Sequence, residues 1–495
     1  MSRYVMAIDQ GTSSTKAMIL DDAGRIVAIS SAALPQSFPQ PGWVEHDPEG
    51  IWRGVLETTR AALALAHLAP TDLFAVGITN QRETTVVWDR RTGHALHPAI
   101  VWQDRRTAAT CAALDNGVSD WVRARTGLRI DPYFSATKIA WILDHVEGLR
   151  ERAQRGELAA GTVDSWLLWR LTGGRVHATD PTNASRTLLM NLATVAWDEE
   201  LCDLFRVPSS MLGRIEQRGQ IFAESDAEVW GVPVTLAAVL GDQQAALLAQ
   251  GCVSPGQTKS TYGTGSFILQ HTGPTPHTAS TSLIATAAHS SGVAPQYALE
   301  GPLFTTGAAI QWLRDGLGII TDARESEQLA RSLEDNGDVW FVPALAGLGA
   351  PHWDPHARGL LIGVTRGTSK AHVARAALES IAFQTREVVE AMDAQSGHAL
   401  AELKADGGAT SNAWLMQFQA DLLGTPVTVS ASPEATLWGA AYAAGLAARL
   451  WRTYDDLPAL AGAQTRYEPS MSDDRRDELF ERWLLALARS REWAS

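Results

Sequence analysis

DQGTSSTK, residues 9–16, and STYGTGSF, residues 260–267, are two turns rich in glycine and hydroxyl groups, one in each half of the chain. Turns of this kind free backbone N–H groups and add hydroxyls, a combination that suits phosphate oxygens. Their central glycines are Gly11 and Gly263. Because each half carries one turn, the pattern predicts a phosphoryl-transfer protein built by duplication, with a nucleotide held from both sides of a cleft.

The chain is long enough for two domains. Its 495 residues exceed what one hydrophobic core fills, since cores stop growing near ~250–300 residues. The duplication places the boundary near Gly251, so we expect an N-terminal domain over 1–251 and a C-terminal domain over 252–495. Strand-like and helix-like segments alternate in both halves, which predicts an α/β fold.

The first and last parts of the chain carry the clearest periodicity. Short apolar runs before residue 31 are separated by turns, which predicts a three-stranded meander over 4–8, 17–20 and 25–30. Helical spacing of apolar residues predicts helices elsewhere. The segments concerned are 48–66, 307–316, 370–392, 412–423 and 473–493.

Composition excludes several classes of partner. The net charge of -14 argues against nucleic acid and against an anionic membrane surface. No apolar run approaches ~18 residues, so no membrane insertion is expected. The three cysteines, Cys111, Cys202 and Cys252, lack the spacing of a disulfide framework or a zinc site. A cytoplasmic location is therefore expected.

One absence and three features, a diglycine, Asp9 and Asp242, bear on the nucleotide and the acceptor. The usual phosphate-loop and dinucleotide-binding fingerprints are absent. A diglycine at 406–409 follows a strand and lets a planar ring approach the backbone closely. Asp9 stands at a strand end, where it either caps the turn or holds Mg²⁺ through water. Asp242 stands where the predicted strand 232–240 enters a helix, so it is either a helix cap or a general base.

Six longer strings stand out along the chain: PGWVEHDP (41–48), GITNQRETT (77–85), VWQDRR (101–106), DPYFS (131–135), GDQQAA (241–246) and GLGAP (347–351). They make the chain similar to the FGGY carbohydrate kinase family, and to its glycerol branch in particular, almost from end to end. The resemblance implies two ribonuclease-H-like domains of the actin and heat-shock-chaperone superfamily, flanking a catalytic cleft. It also implies transfer of the γ-phosphoryl group of ATP to glycerol, with Mg²⁺, giving sn-glycerol 3-phosphate and ADP in glycerol catabolism.

The resemblance assigns site residues one by one. It makes Asp242 the base that accepts the hydroxyl proton. Around glycerol it places Arg82, Glu83, Trp102, Tyr133, Asp242, Gln243 and Phe267. Around ATP or ADP it places Thr12, Ser13, Ser14 and Lys16 at the phosphates, Thr264 and Gly307 nearby, and Gln311, Gly408 and Asn412 at the adenosine.

Structural alternatives exist for several of these residues. Arg82 and Glu83 also fit a surface ion pair, and Trp102 and Phe267 also fit an ordinary core. Since adjacent residues on a strand point to opposite faces, Arg82 and Glu83 reach one ligand only if the backbone turns there. Lys16 departs from the family, where arginine is frequent, and so loses a bidentate fork.

Two other functions stay open at this point. A sibling kinase acting on a pentulose or a tetritol would carry the same nucleotide half. A non-kinase ATPase of the same superfamily, a filament former or a chaperone-type switch, would lack a polyol pocket. The residues expected around the acceptor, Arg82, Glu83, Trp102 and Tyr133, favour glycerol. The expected assembly is a homodimer or a homotetramer.

Overall fold

The structure, a computed structural model, describes residues 3–216, 222–278, 282–292, 294–430, 432–460 and 462–494. The first half is built on a six-stranded sheet that begins with the predicted meander, since its first three strands pair antiparallel in sequence order. Two further strands extend the sheet in parallel on the other side. In order across the sheet, the strands are Ala223–Glu224, Thr235–Gly241, Leu73–Asn80, Tyr4–Gln10, Ser14–Asp21 and Ile26–Ala33.

The second half repeats this plan in a seven-stranded sheet. An antiparallel hairpin again stands in the middle, with antiparallel strands on one side and parallel strands on the other. The strands in order are Ile284–Ala288, Gln296–Leu303, Ser266–Gly273, Thr258–Tyr262, Leu403–Asp406, Val427–Val429 and Thr465–Tyr467. The repeat of strand order agrees with the predicted duplication, whereas the domain boundary near Gly251 stays a prediction.

Smaller sheets and helices surround the two main sheets. A four-stranded sheet contains Glu45–His46, Ala99–Ile100, Thr85–Asp89 and Leu158–Thr162, and three two-stranded pairs join Met190–Asn191 to Ala196–Trp197, Ala178–Thr179 to Arg214–Ile215, and Trp340–Val342 to Leu360–Ile362. The α-helices are Pro48–Ala66, Ala108–Thr126, Ser135–His145, Leu149–Gln154, Val163–Leu171, Pro181–Ala184, Glu199–Leu204, Ala227–Trp230, Asp242–Ala249, Gly307–Gln311, Glu325–Arg331, Lys370–Ser396, Ala413–Leu423, Ala435–Ala447 and Asp473–Ser490.

Local signals explain where the long helices begin and end. Helix Pro48–Ala66 has the predicted bounds, because Asp47 accepts the N–H of Glu49, proline occupies the first turn, and His67 ends the helix in a left-handed conformation. Helix Lys370–Ser396 ends at Gly397, whose φ is 74°. The helical predictions over 48–66 and 370–392 are therefore confirmed.

Two helical predictions need correction. The segment 307–316 is an α-helix only over Gly307–Gln311 and continues as a wider π-type turn over Trp312–Gly316. The C-terminal helix ends at Ser490 and does more than cover the surface, because Phe480 and Trp483 are buried in the core of the second half. Its apolar face is thus part of that core.

Helix Ala435–Ala447 joins the two halves in an unexpected way. It packs against the strands of the first sheet and against helix Asp242–Ala249, although it belongs to the C-terminal part of the chain. The approach is very close: a Cβ added at Gly77 would lie 2.1 Å from the carbonyl oxygen of Ala440, and one added at Gly439 would lie 1.9 Å from that of Ala245. Glycine at both positions therefore permits this packing.

Within the described residues, no helix is both long and apolar enough to cross a membrane.

Candidate active site

Three parallel strands of the first sheet end at one edge, and each leads into predicted site residues. Strand Tyr4–Gln10 leads into the turn at Gly11, strand Leu73–Asn80 into Arg82 and Glu83, and strand Thr235–Gly241 into Asp242. The carboxyl ends of neighbouring parallel strands form a crevice at the sheet edge. Residues far apart in the sequence therefore come together here.

The backbone turns between Arg82 and the next strand, as the sequence required. Glu83 has a positive φ of 61°, which is unusual for a residue other than glycine. Arg82 and Glu83 are 3% and 1% exposed, so they do not form a surface ion pair. Carboxylates of Glu300 and Glu83 outweigh the opposing effect of burial and hold the pKa of Arg82 above its ordinary value. Burial raises the pKa of Glu83 despite the nearby Arg186 and Arg82.

Asp242 is the first residue of helix Asp242–Ala249, which places its carboxylate at the cleft. Its Oδ1 lies 3.1 Å from Nε of Arg82 and accepts the N–H of Gln243 at 2.7 Å. Its Oδ2 has no hydrogen-bond partner among the residues that the structure describes, and the side chain is 29% exposed. One oxygen is therefore fixed, while the other remains available to a ligand.

An aromatic wall borders these charges. The ring of Trp102 contacts Tyr133 and Phe267 edge to face, with centroids 5.8 and 6.3 Å apart. The guanidinium carbon of Arg82 lies 5.9 Å from the centroid of Phe267. Trp102 and Phe267 are half-buried, and the indole N–H of Trp102 donates to Oγ1 of Thr12 at 2.9 Å. Trp102 thus links the first glycine turn to the second hairpin.

Four charged residues of this region were not predicted from the sequence. Glu300 lies on strand Gln296–Leu303 of the second sheet and binds both Arg82 and Arg186. Arg186 also donates from Nε to Oε1 of Glu83 at 2.7 Å. The available signal was a charged residue inside an otherwise apolar stretch, which indicates a buried and paired group.

Lys138 is the third such residue. Its ammonium donates to the carbonyl oxygens of Pro132, Tyr133 and Phe134 at 2.9, 2.6 and 2.8 Å. Burial lowers the pKa of Lys138 to about 8. The three bonds hold the loop that carries Tyr133 against the pocket.

Lys259, on strand Thr258–Tyr262 of the second sheet, is the fourth. It donates to Oε1 of Gln243 and, at 2.8 Å, to Oγ1 of Thr261. Burial lowers the pKa of Lys259 to about 8. Gln243 is thereby fixed by a side chain from the other half of the molecule.

The second glycine turn is tied to the start of a short helix. The N–H groups of Gly307 and Ala308 donate to the carbonyl oxygens of Gly263 and Thr264, each at 3.0 Å. Gln311 is the last residue of the same helix. The predicted residues Thr264, Gly307 and Gln311 therefore lie on one connected unit.

The diglycine lies beside this unit. Strand Leu403–Asp406 runs parallel to strand Thr258–Tyr262, and Gly407 follows it with a φ of 96°. A Cβ added at Gly407 would lie 2.5 Å from the carbonyl oxygen of Tyr262, whereas one added at Gly408 would meet nothing within 4 Å. Asn412 caps the next helix by accepting the N–H of Leu415 at 2.9 Å.

The first glycine turn draws its partners from the C-terminal part of the chain. Lys16 donates to both carboxylate oxygens of Glu434 at 2.8 and 2.7 Å, and Oγ1 of Thr436 donates to Oδ2 of Asp9 at 2.5 Å. Burial, with the carboxylate of Asp242 adding to it, raises the pKa of Asp9 to about 7. Ser13 is exposed, and Ser14 closes the turn by accepting the N–H of Gly11 at 2.9 Å.

The described residues contain no group of three or more His, Cys, Asp or Glu side chains arranged to hold a metal ion. Mg²⁺ commonly keeps several waters and is bound through one or two carboxylates together with substrate phosphates. Asp9 and Asp242 interact electrostatically at the strand ends, and a cation there would offset their mutual repulsion. The donor set therefore fits a magnesium ion that arrives with a nucleotide.

Comparison with known proteins gives matches over nearly the whole chain. The N-terminal domain model of the FGGY family of carbohydrate kinases matches residues 4–249, and the C-terminal domain model matches 258–448. Proteins named glycerol kinase 2 from Thermotoga maritima and glycerol kinase from Trichlorobacter lovleyi are 49% and 52% identical over 492 residues, covering 99% of each chain. The crystal structure of Plasmodium falciparum glycerol kinase with ADP superposes with a TM-score of 0.93 at 34% identity, covering 99% of this chain and 98% of that one.

Proposed function

The chain belongs to the FGGY family of carbohydrate kinases, and from that premise we propose that it transfers the γ-phosphoryl group of ATP to glycerol, forming sn-glycerol 3-phosphate and ADP. Its relatives of about 50% identity over the full length bear the name glycerol kinase. The observation that carries the proposal is the carboxylate of Asp242, with one oxygen fixed by Arg82 and the other open to the cleft.

Phosphoryl transfer needs alignment and charge neutralisation more than covalent help. Asp242 accepts the proton of the attacking hydroxyl through Oδ2, and Nε of Arg82 keeps the carboxylate in one orientation. Asp242 is also the first residue of helix Asp242–Ala249, so the start of the helix fixes where its side chain enters the cleft. Together these groups hold a base at the position where the acceptor loses its proton.

The chemistry of the lining residues suits a small polyol. Arg82, Glu83 and Asp242 offer donors and acceptors, and Trp102 and Phe267 form an apolar wall. A few polar groups beside an aromatic surface give orientation and exclude water. Tyr133 and Gln243 complete the set, held by Lys138 and Lys259 respectively.

The nucleotide is held by both glycine turns. The turn at Thr12 and Ser14, with Lys16, binds phosphates from the first half, and Thr264 and Gly307 bind from the second. Gln311, Gly408 and Asn412 surround the adenosine. Mg²⁺, which Asp9 would hold through water, neutralises charge on the phosphates when bound.

We also propose a cytoplasmic location and a homodimeric or homotetrameric assembly. The location is supported by the three cysteines, which are buried, unpaired thiols. The assembly rests on resemblance to the family alone.

A coupled assay of ADP release tests the proposed reaction. Wild-type protein is measured with glycerol, dihydroxyacetone, erythritol and xylulose, and without an acceptor. The expected result is the highest kcat/KM with glycerol and little ADP without an acceptor. A preference for xylulose or erythritol would assign the chain to a sibling kinase, and equal ADP release without an acceptor would favour the ATPase.

A further inference from the structure

Glu300 is a buried carboxylate from the second half that lies behind the acceptor pocket of the first half. It belongs to strand Gln296–Leu303, and its side chain is fully buried. Both of its oxygens bind arginines of the first half. Oε2 accepts from Nη1 of Arg82, and Oε1 accepts from Nη2 of Arg82 at 3.2 Å and from Nη2 of Arg186 at 2.9 Å.

Each arginine also turns its Nε toward a carboxylate of the pocket. Nε of Arg82 lies 3.1 Å from Oδ1 of Asp242, and Nε of Arg186 lies 2.7 Å from Oε1 of Glu83. A guanidinium group is planar and its donors form a rigid fork. Binding of both outer nitrogens of Arg82, and of Nη2 of Arg186, to Glu300 therefore sets the direction in which the two Nε–H groups point.

The charges alternate along this path. Glu83, Arg186, Glu300, Arg82 and Asp242 form a series in which each cation lies between two carboxylates. Arg186 and Arg82 outweigh burial and hold the pKa of Glu300 below its ordinary value, so it carries a charge at neutral pH. Removal of that charge leaves two buried arginines competing for the pocket carboxylates.

We infer that Glu300 is a positioning residue for the acceptor: it orients Asp242 through Arg82 and Glu83 through Arg186, and so makes the geometry of the glycerol pocket depend on the second sheet. The inference rests on the proposed function, because it takes these two carboxylates as the groups that contact glycerol. Glu300 itself is fully buried against the two arginines and acts through them.

The path also joins the two halves of the molecule. Strand Gln296–Leu303 pairs with strand Ser266–Gly273, which begins directly after the second glycine turn and carries Phe267. A shift of the second sheet relative to the first would therefore move Glu300 and Phe267 together. The pocket is complete only when the two sheets keep the relative position seen in this structure.

The test compares two variants of Glu300 with a matched control. Glu300→Gln keeps the shape and removes the charge, and Glu300→Asp keeps the charge on a shorter side chain. Glu379→Gln is the control, because Glu379 is also a buried carboxylate of the second half, bound by Arg375 at 2.8 Å, yet it has no path to the pocket. Melting temperature and the Michaelis constants for glycerol and ATP are measured for each.

The expected result is a selective effect on the acceptor. Glu300→Gln raises the glycerol KM roughly 10- to 100-fold, since a displacement of about 1 Å in a positioned group has effects of that order. The ATP KM changes less than about twofold, Glu300→Asp recovers part of the loss, and Glu379→Gln lowers only the melting temperature.

Two results overturn the inference: a wild-type glycerol KM in folded Glu300→Gln, or a parallel rise of both Michaelis constants that Glu379→Gln reproduces. If Glu300→Gln does not fold, the ratio of the two constants in Glu300→Asp decides in the same way. The wild-type acceptor panel keeps the two proposals separate. If wild type prefers another acceptor, the proposed function fails, and the same ratio measured with that acceptor still tests Glu300.

Discussion

The two main sheets share one strand order, yet their carboxyl ends carry different chemistry. In the first sheet the ends carry the charged residues Asp9, Arg82 and Asp242 in addition to the turn at Gly11. In the second sheet the corresponding hairpin and parallel strand lead to the Gly263 turn and the Gly407–Gly408 turn. Removing a proton from a small acceptor needs charged groups, whereas holding phosphates and a planar ring needs exposed backbone. The repeated strand order agrees with the predicted duplication, and the proposed tasks of the two ends match this difference in chemistry.

Residues of the C-terminal half also contact the site residues of the first half. Thr436 and Glu434 reach the first glycine turn, and Glu300 and Lys259 reach the acceptor residues. The edge of the first sheet is therefore not complete within the first half of the chain. The predictions below disturb one end at a time.

The largest effect is expected at the charged end. Asp242→Asn should lower kcat by ~10²–10⁴-fold and leave the ATP KM near normal, because the amide accepts no proton. Steady-state kinetics with glycerol measure both constants. Asp198→Asn is the matched control, since Asp198 caps helix Glu199–Leu204 away from the cleft. Near-full turnover of Asp242→Asn would refute its role as base.

Arg82 is the next position. Arg82→Ala would remove one of the two arginines that pair with the buried carboxylate of Glu300 and would lower the stability of the protein. Arg82→Lys is therefore the better probe. Loss of the fork should weaken glycerol binding by about 1–3 kcal/mol and raise its KM accordingly, with little change for ATP. Calorimetric titration with glycerol checks the affinity directly. Arg375→Lys, at a buried ion pair with Glu379, controls for folding, and an unchanged glycerol affinity in folded Arg82→Lys would remove Arg82 from the pocket.

At the Gly407–Gly408 turn of the second sheet, Gly408→Ala tests the proposed adenosine site without disturbing the acceptor site. An added Cβ meets no protein atom within 4 Å, so the melting temperature should stay at the wild-type value. A ring packed on this backbone would be displaced at a cost of roughly 1 kcal/mol, or about fivefold in ATP KM. Gly307→Ala is the contrast, because its Cβ would lie 2.7 Å from the carbonyl oxygen of Gly263 and disturb the turn itself. A normal ATP KM in Gly408→Ala would place the adenosine elsewhere.

The smallest effect is a difference in acid stability between the two hairpins. Burial lowers the pKa of His271, on strand Ser266–Gly273, from 6.5 to about 4, and its Nδ1 accepts the N–H of Gly273 at 3.2 Å. Between these values the unfolded chain binds the proton and the folded protein does not, so stability falls as pH drops below about 6.5. The loss between pH 7 and pH 5.5 should be about 1 kcal/mol.

Hydrogen exchange at the two pH values measures this difference. Strand Ser14–Asp21, the counterpart in the first hairpin, contains no histidine and serves as the internal reference. His271→Asn keeps an acceptor without the titration and should reduce the pH dependence, while His289, whose pKa burial also lowers to about 4, keeps its own contribution. An equal response of both strands in wild type would show that His271 does not control it.

Sequence reasoning was strongest where the signals are local. The meander follows from the spacing of apolar residues, and helix Pro48–Ala66 from its cap and its proline. The turn at Glu83 follows from the condition that two adjacent side chains reach one ligand. The motifs also led to residues that the fold brings together, such as Trp102 and Phe267.

It was weakest where a residue acts through a distant partner. Glu300 and Lys138 belong to no motif, and their partners lie in other elements or are backbone carbonyls. The packing of helix Ala435–Ala447 on the first sheet depends on glycines at Gly77 and Gly439, whose contacts form only in the folded chain. Long-range pairing of this kind leaves almost no periodic signal in a single sequence.

The most direct test of one acceptor site built from both halves is the stoichiometry of the reaction. Wild-type protein is incubated with Mg²⁺ and ATP, with and without glycerol, and the products are followed by phosphorus NMR. The account predicts one glycerol 3-phosphate for each ADP formed, and little ADP without glycerol. ADP accumulating at the same rate without glycerol, or with no phosphorylated glycerol, would contradict it.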